Sequence, residues 1–153
     1  MPVNAVADPE ELGVQDLVVI AVKAPALAGV AERIAPLIGA DTLVLTAMNG
    51  VPWWFLEGGF GGPIAGHRLG AVDPDGAIAR AIPAANVIGG VVHCSCSLDA
   101  PGVVRHHFGN GLIVGEPSGE ATPRVKKLVE LLQATGIETT LSPQIQRDVW
   151  FCL

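Results

Sequence analysis

Charge is scarce in this sequence. Only 16% of its residues are Asp, Glu, Lys or Arg, while half are hydrophobic, and a chain so composed can bury a core, which excludes general disorder. Cations are scarcer still: 9 Lys and Arg against 15 Asp and Glu leave a net charge of −6. That balance argues against a nucleic-acid partner and against an anionic membrane surface. There is no apolar run of the about 20 residues that a spanning helix needs; the strongest window, Leu17 to Ala31, contains Lys23 and Pro25 and is flanked by Asp16 and Glu32. The chain opens Met-Pro and meets Asp8, Glu10 and Glu11 before any cation, the wrong sign for a secretory signal. Three cysteines, Cys94, Cys96 and Cys152, are an odd count and a poor disulfide pattern. These absences together lead us to expect a soluble, cytoplasmic protein with no membrane and no nucleic-acid partner. Internal repeats, low-complexity tracts, a P-loop and Gly-x-Ser-x-Gly are missing as well.

What is present fits one domain. The chain has 153 residues, a mass of 15.8 kDa and a mean hydropathy of +0.47, enough to enclose a core. Leu17–Val22 and Thr42–Ala47 are continuous apolar runs of the kind found in strands covered on both faces. Between them, residues 25–38 carry Leu27, Val30, Ile34, Leu37 and Ile38 at helical spacing, with Pro25 near the first turn. Strand, helix, strand reads as a βαβ unit. Residues 51–57, with Trp53, Trp54 and Phe55, read as a short helix or turn packed at the head of a long irregular excursion over 58–86. Asn86–Ser95 reads as a third strand in which Gly89 and Gly90 admit a close neighbour. Val103–His107 and Gly111–Val114 read as an antiparallel hairpin at a sheet edge, turning at Phe108-Gly109-Asn110. Thr122-Pro123 opens a helix to about Thr135, with Leu128, Leu131 and Leu132 inward and Gly136 as its stop. Ile137–Leu141 reads as a last strand, and Pro143–Leu153 as the opening of another helix. The fold class is α/β with a mostly parallel sheet.

Ligands of open α/β sheets sit outside the carboxyl ends of the strands. Three expected strands end in polar groups: Lys23, an ammonium suited to a phosphate or carboxylate; Asn49, a donor and an acceptor followed by Gly50; and His93. Each has a plain alternative, since a strand-closing Lys is usually solvated and Asn-Gly is a common turn. His93-Cys94-Ser95-Cys96 lacks zinc spacing, because paired zinc-binding cysteines have two to four residues between them and a second pair completes the site. It reads as a packed strand, with both cysteines on one face and no metal. His106 and His107 point to opposite faces of a strand and read as solvated or satisfied. Gly58-Gly59-Phe60-Gly61-Gly62 is not a dinucleotide fingerprint, since no buried strand leads into it; it reads as a flexible loop.

The run Asp16-Leu-Val-Val-Ile-Ala-Val-Lys23-Ala24, then Met48-Asn49-Gly50-Val51, the strand through His93, Pro101-Gly-Val-Val-Arg105-His106, Gly111-Leu-Ile-Val-Gly115-Glu116 and Asp148-Val149-Trp150 resemble, in order and spacing over nearly the whole chain, the ketopantoate reductase (2-dehydropantoate 2-reductase) family. The insert through Trp53, Trp54 and Val72-Asp73-Pro74 resembles one bacterial branch of it. The resemblance implies a Rossmann-like domain and NADPH-dependent reduction of 2-dehydropantoate, a 2-oxo acid, to (R)-pantoate on the route to pantothenate and coenzyme A. It further implies that Lys23, Asn49 and Ser95 contact the cofactor, Ser95 through its backbone, and that Asn49 also reaches substrate. The departures are as telling. The family's opening strand and Gly-x-Gly-x-x-Gly are absent, Met1 corresponding to a position about 60 residues into the family pattern. The family's catalytic lysine in Trp-x-Lys-Leu is Cys152 in Trp150-Phe151-Cys152-Leu153, and the C-terminal helical domain is missing. We therefore expect residues 1–142 to be a partial dinucleotide-binding domain and 143–153 the start of that helical domain, the fold incomplete at both ends. We also expect little or no reductase activity from the chain alone. A non-catalytic nucleotide- or partner-binding role, through faces left uncovered and including homo-oligomers, and a related 2-oxo acid reductase stand as alternatives.

Overall fold

A computed structural model describes residues 3–152; the outermost ends of the expected segments 1–142 and 143–153, Leu153 of the last motif included, lie outside the described residues. Five strands form one sheet in the order β1-β2-β3-β4-β5: β1 Leu17–Ile20, β2 Leu43–Ala47, β3 Val87–Ala100, β4 Val103–Gly115 and β5 Glu138–Leu141. The β1–β2, β2–β3 and β4–β5 pairs are parallel and β3–β4 is antiparallel. Four α-helices accompany them: α1 Leu27–Ala31, α2 Ala77–Ala81, α3 Pro123–Ala134 and α4 Ile145–Phe151. The fold is the α/β, mostly parallel, Rossmann-like sheet expected. No helix among the described residues is long and apolar enough to cross a membrane.

Each face of the sheet has its own core. On one side Ile20, Val44, Val87 and Val91 meet Leu27 and Ile34, the aromatic run Trp53-Trp54-Phe55, Ile78 and Ile82 around α2, and Ile145 and Val149 of α4. On the other, Leu45, Ile88, Leu112 and Val114 meet Val125 and Leu128 of α3. The expected close approach at the paired glycines is real. A Cβ on Gly89 would stand 2.4 Å from the Trp54 ring, and one on Gly90 2.8 Å from the Thr46 carbonyl oxygen.

Several expectations need correction. The helix over 25–38 is one turn of α1 between 3-10 turns at Ala24–Ala26 and Ala35–Leu37; Pro36 has no amide to donate to the preceding turn and so stops the α-helix before it, whereas Pro25 sits in the opening turn, where no donor is missed. The excursion over 58–86 is not wholly irregular. Asp73, buried, accepts from the Ile78 and Ala79 amides at 3.1 and 3.0 Å and so starts α2. Residues 103–114 are not a hairpin. They are one strand, β4, and the turn lies at Pro101-Gly102, so that the antiparallel partner is β3. Gly109 makes an irregularity within β4 rather than a turn; at φ 79 its Cβ position falls 2.3 Å from the His93 carbonyl oxygen, a place only glycine fills. On α3, Thr122 caps as expected, its hydroxyl accepting from the Val125 amide, but Leu131 faces solvent and Val125 takes the core position. The Gly58–Gly62 loop is built rather than loose: Gly58 lies so close to Pro117 that a Cβ would come within 2.1 Å of its carbonyl oxygen.

The second core stops short. α3 covers β4, β5 and part of β2 and β3, but nothing among the described residues covers the β1 side, where Val19 is 50% exposed. Val19, Ala21, Ala47, Val92 and Cys94 line an apolar groove of about 360 Å³ there. Leu17–Val22 thus resembles a strand covered on both faces only in sequence.

Candidate functional site

β1 and β2 are adjacent and parallel, so their carboxyl ends share one edge of the sheet. Lys23 lies three residues past the end of β1 and Asn49 two past the end of β2; both are exposed. The ion pairs among the described residues are Arg105–Asp99 and Arg124–Glu116, which leaves the Lys23 ammonium uncommitted. Asn49 is different. Its side-chain amide donates to the Val92 carbonyl at 3.0 Å and accepts from the Val92 amide at 2.8 Å. It therefore extends the β2–β3 ladder by one rung after the β2 backbone has turned away. One N–H and one lone pair of that amide are left over, aimed by a side chain that two bonds hold still.

His93 and Ser95 belong to the same edge but not to a strand end. β3 runs on to Ala100, so the expectation that His93 closes the strand is corrected: from Val91 onward the β3 backbone pairs with β4 alone, as a ribbon projecting past the parallel strands. Ser95 sits in that ribbon opposite Phe108, between two register shifts. The packed-strand reading of Cys94 and Cys96 is likewise corrected, for both thiols are exposed. His106 and His107 are satisfied as expected, by the Gly109 carbonyl at 2.5 Å and the Ser97 hydroxyl at 2.9 Å.

One contact was illegible in the sequence. The Cys152 thiol, at the carboxyl end of α4, lies 3.7 Å from His93 Nε2. The two are 59 positions apart, and only the turn of the chain from β5 into α4 brings them together. The end of α4 is thereby fixed over the same sheet edge as Asn49. α4 is itself anchored by Gln146, wholly buried, which donates to the carbonyls of Glu57 and Pro117 at 3.2 and 2.7 Å.

This edge suits one end of a dinucleotide better than the other. An uncommitted ammonium and a preset amide would meet phosphate, ribose or carboxylate groups. A strand-to-helix glycine loop for a pyrophosphate does not occur among the described residues; of the glycines at 58–62, Gly58 is packed against Pro117 and Gly61 against Leu56 and Ile64.

Comparisons with known proteins match the chain to ketopantoate reductases. A family profile described as "Ketopantoate reductase PanE/ApbA" matches residues 1–53. A 2-dehydropantoate 2-reductase of Mesorhizobium japonicum is 47% identical over 149 residues, which are 97% of this chain and 45% of that protein. A 2-dehydropantoate 2-reductase of Halobacterium salinarum is 28% identical over 96% of this chain and 41% of its own length. Among solved structures, a protein of Ralstonia solanacearum assigned as a ketopantoate reductase superposes with a TM-score of 0.92 at 52% identity, over 99% of this chain and 46% of that one. The chain thus spans under half the length of the curated relatives it matches.

Proposed function

Since the chain belongs by sequence and fold to the ketopantoate reductase family, we propose that it forms the strand-end wall of an NADPH site in a cytoplasmic 2-oxo acid reductase, with 2-dehydropantoate as substrate. The observation that carries this reading is the pairing of an uncommitted Lys23 with a preset Asn49 on one edge of a parallel sheet. A reduced nicotinamide supplies the hydride when bound. The rest is the chain's own work. Lys23 binds an anionic group of the nucleotide, Asn49 uses its remaining N–H and lone pair on cofactor and substrate, and Ser95 contacts the cofactor through its backbone. Residues 1–142 act as a partial dinucleotide-binding domain and 143–153 as the start of a helical one. Cys152 takes the place of the family's lysine. A thiol carries no cation to hold a substrate carboxylate or to stabilise a developing alkoxide, and a general acid contributes about 10²- to 10⁴-fold. The 153-residue chain by itself therefore has little or no turnover.

NADPH titration followed by tryptophan fluorescence tests this reading. Weak saturable binding is expected, and Lys23→Ala should weaken it about tenfold, the worth of one exposed charge-assisted hydrogen bond. The same preparation with NADPH and 2-dehydropantoate should show no oxidation above background. Unchanged affinity in the variant, or turnover near the roughly 10 per second typical of enzymes, would overturn it.

The exposed Val19 face favours a second reading, in which the chain acts by pairing with a partner subunit or with itself. Apolar patches of this kind mark interfaces. Light scattering during gel filtration should give a mass above the 15.8 kDa of one chain; a monomer at that mass with cooperative melting would exclude self-pairing.

A further inference from the structure

We propose, resting on the function proposed above, that His93 is a substrate-binding residue whose imidazole takes the carboxylate of a 2-oxo acid beside Asn49. Of the polar groups expected at the strand ends, His93 is the one that function leaves without a role. Val92, which fixes the Asn49 amide through both its carbonyl and its N–H, immediately precedes His93, so the two side chains meet at one point of the edge. Pairing is regular over Val91, Val92 and His93, which stand opposite Ile113, Leu112 and Gly111. His93 therefore shares a face with Val91, the face that α4 covers.

The exposed ring is held from two sides. Gly111 makes room for its root, since a Cβ there would stand 3.2 Å from the His93 Cβ, and the Cys152 thiol meets Nε2 at 3.7 Å. Whichever of thiol and ring donates, that contact takes Nε2 and leaves Nδ1, which has no partner among the described residues. A carboxylate is best held by a donor that can be ionised. The Cys152 thiol carries no positive charge, whereas imidazole can hold a proton on each nitrogen and a charge with them. His93 then takes the carboxylate and the spare Asn49 N–H the neighbouring carbonyl oxygen, two adjacent donors for the two adjacent acceptors of a 2-oxo acid. The role is in binding, and the expected lack of turnover stands.

NMR titration with oxamate, which keeps a carboxylate beside a carbonyl but accepts no hydride, tests the assignment. Of the four histidine ring signals, that of His93 should move saturably. His93→Ala should weaken oxamate at least about tenfold, the worth of a hydrogen bond to a charged group. Cys152→Lys added to His93→Ala should restore most of that loss, because an ammonium then stands beside the place of the imidazole; a merely structural role for His93 would not be recovered in this way. His106→Ala should change nothing. No saturable shift of the His93 ring, undiminished affinity in His93→Ala, a loss that Cys152→Lys does not recover, or equal affinity for acetate, which lacks the carbonyl, would each overturn the proposal. Should His93→Ala fail to fold, the Overhauser contact with Cys152 identifies the His93 signal in the unaltered protein, and its response to oxamate decides. The titration needs no NADPH, so this site can fail while Lys23→Ala still weakens the nucleotide, and the reverse.

Discussion

Trp54→Ala should be the most damaging single truncation of this fold, lowering stability by about 3–5 kcal/mol. The ring is 1% exposed and lies in the notch that Gly89 leaves in β3, with Ile145 of α4 on the same glycine. Removing it empties a space bounded by strand backbone, which cannot collapse inward. Gly89→Ala tests the same contact from the other side. Its methyl would have to occupy positions 2.4 Å from Trp54 and 2.8 Å from Ile145, and overpacking of that kind costs about 1–3 kcal/mol. Urea unfolding of both variants, read as a change in midpoint at constant slope, checks the pair. If Gly89→Ala melts like the unaltered protein, the notch is not rigid and the Trp54 ring is not held by it. The double variant should be less damaging than the sum, because Trp54→Ala vacates the space that the new methyl needs.

Arg124→Ala should have the next largest effect. Glu116 follows β4 and is 3% exposed; Arg124, in the first turn of α3, donates to both its carboxylate oxygens at 2.7 and 2.6 Å and to the Ala85 carbonyl at 2.6 Å. The Thr122 hydroxyl, which caps α3, donates to the same carboxylate. Stripping one partner from a fully buried pair costs about 3–5 kcal/mol. The Arg124 side chain, however, is 38% exposed, so solvent screens part of this and about 2 kcal/mol is the better expectation. The guanidinium pKa is raised, chiefly by its hydrogen bonds to Glu116 and against some desolvation. A cation whose folded pKa lies above the unfolded one stabilises fully below the unfolded value and loses that contribution only as pH climbs through the folded one. Both values lie above any ordinary working range, so the penalty of Arg124→Ala should stay constant from about pH 7 to 10. A penalty that shrinks over that interval would mean the carboxylate is held by something other than this cation.

The elements that could be read from sequence are those whose local chemistry agrees with their packing. β2 is an apolar run buried on both faces. α3 opens on Thr122-Pro123 and closes at Gly136, whose φ of 90 is the left-handed stop that glycine supplies. What could not be read depended on distant partners. Gly109 looks like a turn until the His93 carbonyl is seen beside it. Leu131 fits the helical stripe, yet the sheet beneath α3 does not extend far enough to cover it. Lys23 and Asn49 were legible as strand-end groups, but the bonds that fix Asn49 to Val92 come from residues 43 positions away, and the contact between His93 and Cys152 left no trace in either local segment.

The reversal of direction between β3 and β4 also decides which helix ends meet the sheet edge. Because β4 and β5 run opposite to β1–β3, the edge at which β1 and β2 finish is the edge at which β5 starts. α3, leading into β5, consequently ends there, with the Asn110 amide donating to the Gly136 carbonyl just beyond it at 2.6 Å, and α4 ends there too, at the Cys152–His93 contact. A helix carboxyl end carries about half a negative charge. The edge thus meets the carboxyl ends of α3 and α4 beside β4 and β3, while the Lys23 ammonium stands free at its β1 end.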